Sequence, residues 1–183
     1  VDKNGKALDT ITGPNDIIVV AQKEGTIGTH VFDTALSNVL ARHALAHPSS
    51  VVTSAQVYET LAARSGVTLD QKINYLNLAI QSVPTNFADR SRLARALSQS
   101  YQDLASTQTG SQKALTLEAA IQVDPTHDAA KQELANYYIQ LADTVTASSP
   151  EHQVIYQQGY LMRAQALGAA VDNAKLADYS GKA

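Results

Sequence analysis

From Asp33 onward the apolar residues recur at intervals of three and four, the signature of helices buried along one stripe. Leu36, Val39, Leu40 and Ala44 line up on a helix that Asp33 or Thr34 can cap and that runs to about Ala46. A second helix is predicted over roughly 52–64. Thr68 then caps a third, with Gln71 completing a capping box and Leu69, Ile73, Leu76 and Ile80 as its stripe. A fourth starts near Phe87 with Leu93, Leu97, Tyr101 and Leu104 on one side. A fifth is expected over about 112–123 and a sixth over 128–146. The seventh has Ser149 as its cap, Pro150 in its first turn, and Tyr160, Leu161, Ala164 and Leu167 inside. Gly168 interrupts, and a short helix over 171–179 is expected to close the chain.

Residues 1–32 break this rhythm. Gly13-Pro14-Asn15-Asp16 reads as a turn between two stretches rich in β-branched residues, 8–12 and 17–22. That pattern predicts a hairpin or an extended arm. An isolated hairpin is marginal in water, so the arm must dock on something. Gly25 and Gly28 then read as a hinge to a helical body over 33–183. Ile17, Ile18, Val19 and Val20 become its candidate docking side chains.

The helical part repeats. Leu76, Ala79 and Pro84 return with identical spacing as Leu117, Ala120 and Pro125, 41 positions on. After each Pro the match continues, with Leu93-Ala94 and Leu97 answered by Leu134-Ala135 and Tyr138. This grammar resembles the tetratricopeptide repeat (TPR) family, in which large residues fill between paired helices and a small residue lets them approach. The resemblance covers about residues 54–167. It departs from the family in having Lys72 and Lys113 where a small residue is usual, no Trp, and a repeat longer than the usual ~34 residues. Seven extra residues make about two helical turns, so the stripe stays in phase. The resemblance implies an all-α fold: a TPR-like stack of seven to eight antiparallel helices behind an extended or β N-terminal arm. It also implies a concave groove, with Ser91 and Arg95 on one helix and Gln132, Asn136 and Tyr138 on the next.

Composition narrows the chemistry. The net charge of −3 and the absence of a basic stripe interleaved with aromatics speak against nucleic acid. No apolar run approaches the ~18 residues of a membrane span. The chain has no Cys, which excludes disulfides and thiolate sites. Charged residues are only 17%, with Ala, Ser, Thr and Gln in their place, a balance common on extracellular proteins. The sequence begins at Val1 rather than Met, as a chain does once a leader or flanking segment has been removed.

Catalytic motifs are missing. His43 and His47 share a helix face but lack the Glu of a zincin motif. Gly25-Thr26-Ile27-Gly28 lacks the Lys-Ser/Thr of a phosphate loop. Asp2, Asn4, Gly5 and Asp9 faintly resemble a calcium loop without its closing Glu, and no other cofactor suggests itself. The sequence therefore points to a non-enzymatic extracellular subunit. Its arm would dock in the groove of another copy and build a head-to-tail filament. The alternatives are a monomeric adaptor for an extended peptide, periplasmic or cytoplasmic, and an enzyme with a non-local site.

Overall fold

The computed structural model describes residues 11–49, 51–84 and 88–171. Every regular element among them is helical. The eight helices are α1 (Pro14–Gln22), α2 (His30–Ala46), α3 (Ser54–Ala62), α4 (Leu69–Gln81), α5 (Ala88–Ser106), α6 (Gly110–Val123), α7 (Asp128–Thr144) and α8 (Pro150–Ala166). The final helix expected over 171–179 and the calcium-like loop at Asp2–Asp9 lie outside the described residues, as does most of the stretch 8–12.

The helix starts follow local chemistry. Thr53 with Gln56, and Thr68 with Gln71, each form a full capping box. Such a cap supplies about 1 kcal/mol to a helix end. Thr29 caps α2 and Ser149 caps α8, the latter with Pro150 in the first turn. Arg90 closes the end of α4 by donating to the carbonyls of Ile80 and Val83, at 3.3 and 3.2 Å.

The N-terminal region corrects the sequence reading. Residues 14–22 form helix α1 rather than a strand or extended arm. Gly13-Pro14-Asn15-Asp16 is a helix start. Pro14 takes the first position, where its missing N–H costs nothing. The Asp16 carboxylate reaches back to accept from the Thr12 N–H and hydroxyl at 3.0 and 3.1 Å. A continuous run such as Ile17–Ala21 has no period of its own, so the flanking residues had to decide, and Pro-x-Asp serves a helix as well as a turn. The turn after α1 is also no loose hinge. A Cβ on Gly25 would stand 2.5 Å from the Phe32 nitrogen, so this glycine lets the turn press on the first turn of α2.

The chain divides into two compact units, residues 1–96 and 97–183, with the division inside α5. In the first unit α1 packs on α2 and α3, and α3 pairs with α4. Its core is made of bulky side chains, with Ile17, Ile18, Phe32, Leu36, Leu61 and Leu93 fully buried. Two polar ties cross it. The Tyr58 hydroxyl donates to Asp33 at 3.1 Å. Burial first, and then the Asp33 charge, push that hydroxyl up to about 12. His43 is 1% exposed and its Nε2 lies 3.2 Å from the Ile11 carbonyl.

In the second unit α6 pairs with α7 and α7 with α8. Alanine dominates its core: Ala105, Ala114, Ala120, Ala130, Ala135 and Ala164 surround Leu117, Leu134 and Tyr138. Small residues let helix axes approach, which is the spacing that the repeated Ala79 and Ala120 encode.

Candidate interaction groove

Helix α7 sorts its residues by face. Ala130, Leu134, Ala135, Tyr138 and Ala142 go inward. Gln132, Asn136 and Gln140, four apart in succession, are exposed along the outside. Two concavities flank this amide row and share Asn136. One, of about 610 Å³, is bounded by Asp128, Lys131, Gln132, Asn136 and Ile139 and by the turn 167–170 after α8. The other, of about 430 Å³, is bounded by the start of α6 at Gln108–Gly110, by Lys113, and by Glu133, Asn136, Tyr137 and Gln140. Gln132 and Asn136, predicted groove residues, therefore both line a concave surface.

The charges around the row are matched. Lys113 Nζ meets Glu133 at 2.7 Å, and Lys131 meets Asp128 at 3.4 Å. Gln102 also donates to Glu133 at 3.3 Å. Desolvation works to raise the Glu133 carboxyl, but the hydrogen bonds from Lys113 and Gln102 outweigh it and hold the group below the usual range. The surface thus offers neutral amides between self-satisfied ion pairs.

Other predicted residues fall elsewhere. Tyr138 is not in the groove. It sits on the opposite face of α7, 7% exposed, donating to Glu118 at 2.7 Å and stacked on Tyr160 with ring centroids 6.2 Å apart. Burial first, then Glu118, raise its hydroxyl. The Arg163 guanidinium lies 5.6 Å from its ring centre. Its neighbour Tyr137 lines the groove instead. A step of one residue on a helix turns a side chain by 100°, enough to change faces. Ser91 and Arg95 are both exposed on one side of α5, tied by Arg95 Nε donating to the Ser91 carbonyl at 3.4 Å. They belong to the first unit. The predicted arm side chains Ile17, Ile18 and Val20 are 0%, 0% and 4% exposed in the core of their own unit, and only Val19 faces out, at 51%.

Gln140 and the Lys113–Glu133 pair were missed from the sequence. The first was within reach, since it continues the four-residue step from Asn136. The pair was not, because it joins two helices.

One arrangement invites a catalytic reading. Ser98 Oγ stands 2.5 Å from His127 Nδ1. Ser98 is fully buried, however, and donates its proton to the Ala120 carbonyl at 2.8 Å. The imidazole must then donate to the serine rather than draw a proton from it, the reverse of nucleophile activation. The pair stitches α5 to the α6–α7 turn. His43 and His47 have ring centroids 4.9 Å apart, but no group of three or more metal-ligating side chains exists among the described residues. Nor is any described helix long and apolar enough to cross a membrane. Compared with protein-family models, with curated proteins and with solved structures, the chain matches none.

Proposed function

We propose that this is a non-enzymatic interaction protein of TPR-like helix pairs, which holds an extended, uncharged peptide segment along α7. The row Gln132–Asn136–Gln140 carries the reading. Side chains four apart on a helix recur about every 6 Å. In an extended chain, alternate residues recur about every 6.7 Å. Successive amides can therefore meet successive outward backbone groups of a bound strand, and each amide both donates and accepts. A guest charge would find Lys113, Glu133, Lys131 and Asp128 already engaged with one another.

A short-peptide phage library selected on the full chain, and on the double variant Asn136→Leu with Gln140→Leu, tests this. Enrichment of uncharged, extended sequences on the parent alone is expected. Equal enrichment on both, or none on the parent, overturns it.

A second reading is self-assembly, in which the guest belongs to another copy and the product is an extracellular filament. Large apolar side chains left exposed on both units favour it: Val31 at 58% and Leu45 at 86% on one, Leu115 at 60% and Met162 at 57% on the other. Helix α1 is not the donated segment in this version, because its apolar side chains are engaged in the core. Electron micrographs of the purified chain decide it by the presence or absence of filaments.

A further inference from the structure

The other face of α7 carries a different chemistry. There a concavity of about 380 Å³ is lined by residues of α6, α7 and α8, all within the unit 97–183. That volume lies in the ~300–1,000 Å³ range of small-molecule sites. Its lining is largely apolar. Leu134 and the Tyr138 ring are buried, while Ile121 and Leu167 are only partly covered. An apolar guest would take more of the last two out of water, which favours its binding.

Two opposite charges complete the lining, Glu118 from α6 and Arg163 from α8, and both are exposed. Both bear on one phenol group. The Tyr138 hydroxyl donates to Glu118 at 2.7 Å, and the Arg163 guanidinium lies 5.6 Å from the ring centre. Burial and then Glu118 raise that hydroxyl, while Arg163 acts to lower it. Yet among the described residues neither charge forms an ion pair, with the other or with a third group. This is unlike the charges beside the amide row, which are matched to each other.

Neither group is used up by the tyrosine. One Glu118 oxygen accepts from it, and a carboxylate has further acceptor sites. A guanidinium has five N–H donors, and contact with one tyrosine leaves most of them open.

The sign of the charges decides what fits. A guest with only a carboxylate would meet Glu118 as well as Arg163, and a guest with only an ammonium would meet the reverse. A guest that carries both groups close together satisfies both. Its apolar remainder would then lie on Ile121 and Leu167. A free α-amino acid with a large apolar side chain has this build.

We infer that the concavity lined by α6, α7 and α8 binds a free hydrophobic amino acid, with the ammonium on Glu118, the carboxylate on Arg163 and the side chain over Ile121 and Leu167. This site lies on the face of α7 away from the amide row and does not depend on what that row binds.

The test is a two-dimensional 15N–1H NMR titration of the full chain with L-leucine and L-phenylalanine, carried into the millimolar range. Saturable shifts are expected around residues 118, 121, 134, 163 and 167. N-acetyl-phenylalanine, which lacks the ammonium, and phenylalanine amide, which lacks the carboxylate, should each bind at least about tenfold more weakly. Glu118→Gln and Arg163→Gln, on exposed helical positions that glutamine suits, should each lose about tenfold or more for the amino acid. Ala166→Leu fills the concavity and leaves both charges in place, so it should abolish binding. The spectrum of each variant without ligand shows that it is folded. No saturable shift with either amino acid, shifts confined to residues 132, 136 and 140, analogues that bind as well as the amino acid, or variants that bind as the parent does would each overturn the inference.

Discussion

The two units solve burial in opposite ways. Residues 1–96 fill their interior with Ile, Leu, Val and Phe, so that α1 becomes a sealed part of the core. Residues 97–183 build theirs largely from alanine and leave Tyr101, Ile121, Tyr137, Ile139 and Leu167 only partly covered at its edge. Alanine cores bring helices close but bury little area per residue. The apolar area that such a core does not consume stays at the rim, where a partner can use it. Both units still expose large apolar side chains, Leu45 on the first and Leu115 on the second, so the contrast lies in how the cores are built.

Deleting bulk should injure the first unit most. Phe32→Ala is expected to cost about 3–5 kcal/mol and Ile18→Ala about 2–5 kcal/mol in denaturant unfolding. Should Ile18→Ala cost only a few tenths, α1 would not be sealed and the contrast between units would fail. The second unit should be injured by adding bulk. Ala120→Leu forces α6 away from its neighbours, at about 1–3 kcal/mol. Hydrogen exchange should register this as lost protection in α6 and α7.

Smaller effects sharpen the contrast through pH. Tyr58 titrates at about 12 in the folded chain against an ordinary 10.0, so its protonated form is favoured by folding. Its stabilisation is complete below pH 10.0 and is lost as the pH rises toward 12. Tyr58→Phe should cost about 1 kcal/mol at neutral pH and flatten that alkaline decline, read from chemical denaturation across the range. In the second unit the linkage has the opposite sign. Glu133 is held below the usual carboxylate range, so its contribution is present above that range and lost as the pH falls through it. Lys113→Met should blunt the acid loss by under about 1 kcal/mol, since the pair is partly exposed.

Much of the helical body was legible in the sequence because each signal is local. The capping box at Thr68 and Gln71 and the Ser149-Pro150 start of α8 are read from residues a few positions apart, and the structure has both. The start of α6 was placed within two residues for the same reason. The candidate groove was half legible. Gln132 and Asn136 follow from helical spacing, whereas Tyr138 lies on the other face of α7, beside a separate concavity that it lines with Glu118 and Arg163. The repeat aligned it with a packing position, and packing positions face the partner helix, not the groove.

The sequence by itself determined the helical body after residue 33, most of its caps and its inward stripes, because propensity and periodicity act over a turn or two of chain. Only the tertiary structure decided that Ile17–Ala21 is helical and sealed, since a continuous apolar run takes its conformation from what covers it. It alone decided which amides border a concavity, because each concavity is made by residues far apart, one by α7 with Lys113 and Gln108–Gly110 and the other by α7 with the turn 167–170. And it alone showed that Gly159 faces open space, where the sequence shows only a glycine within a helix.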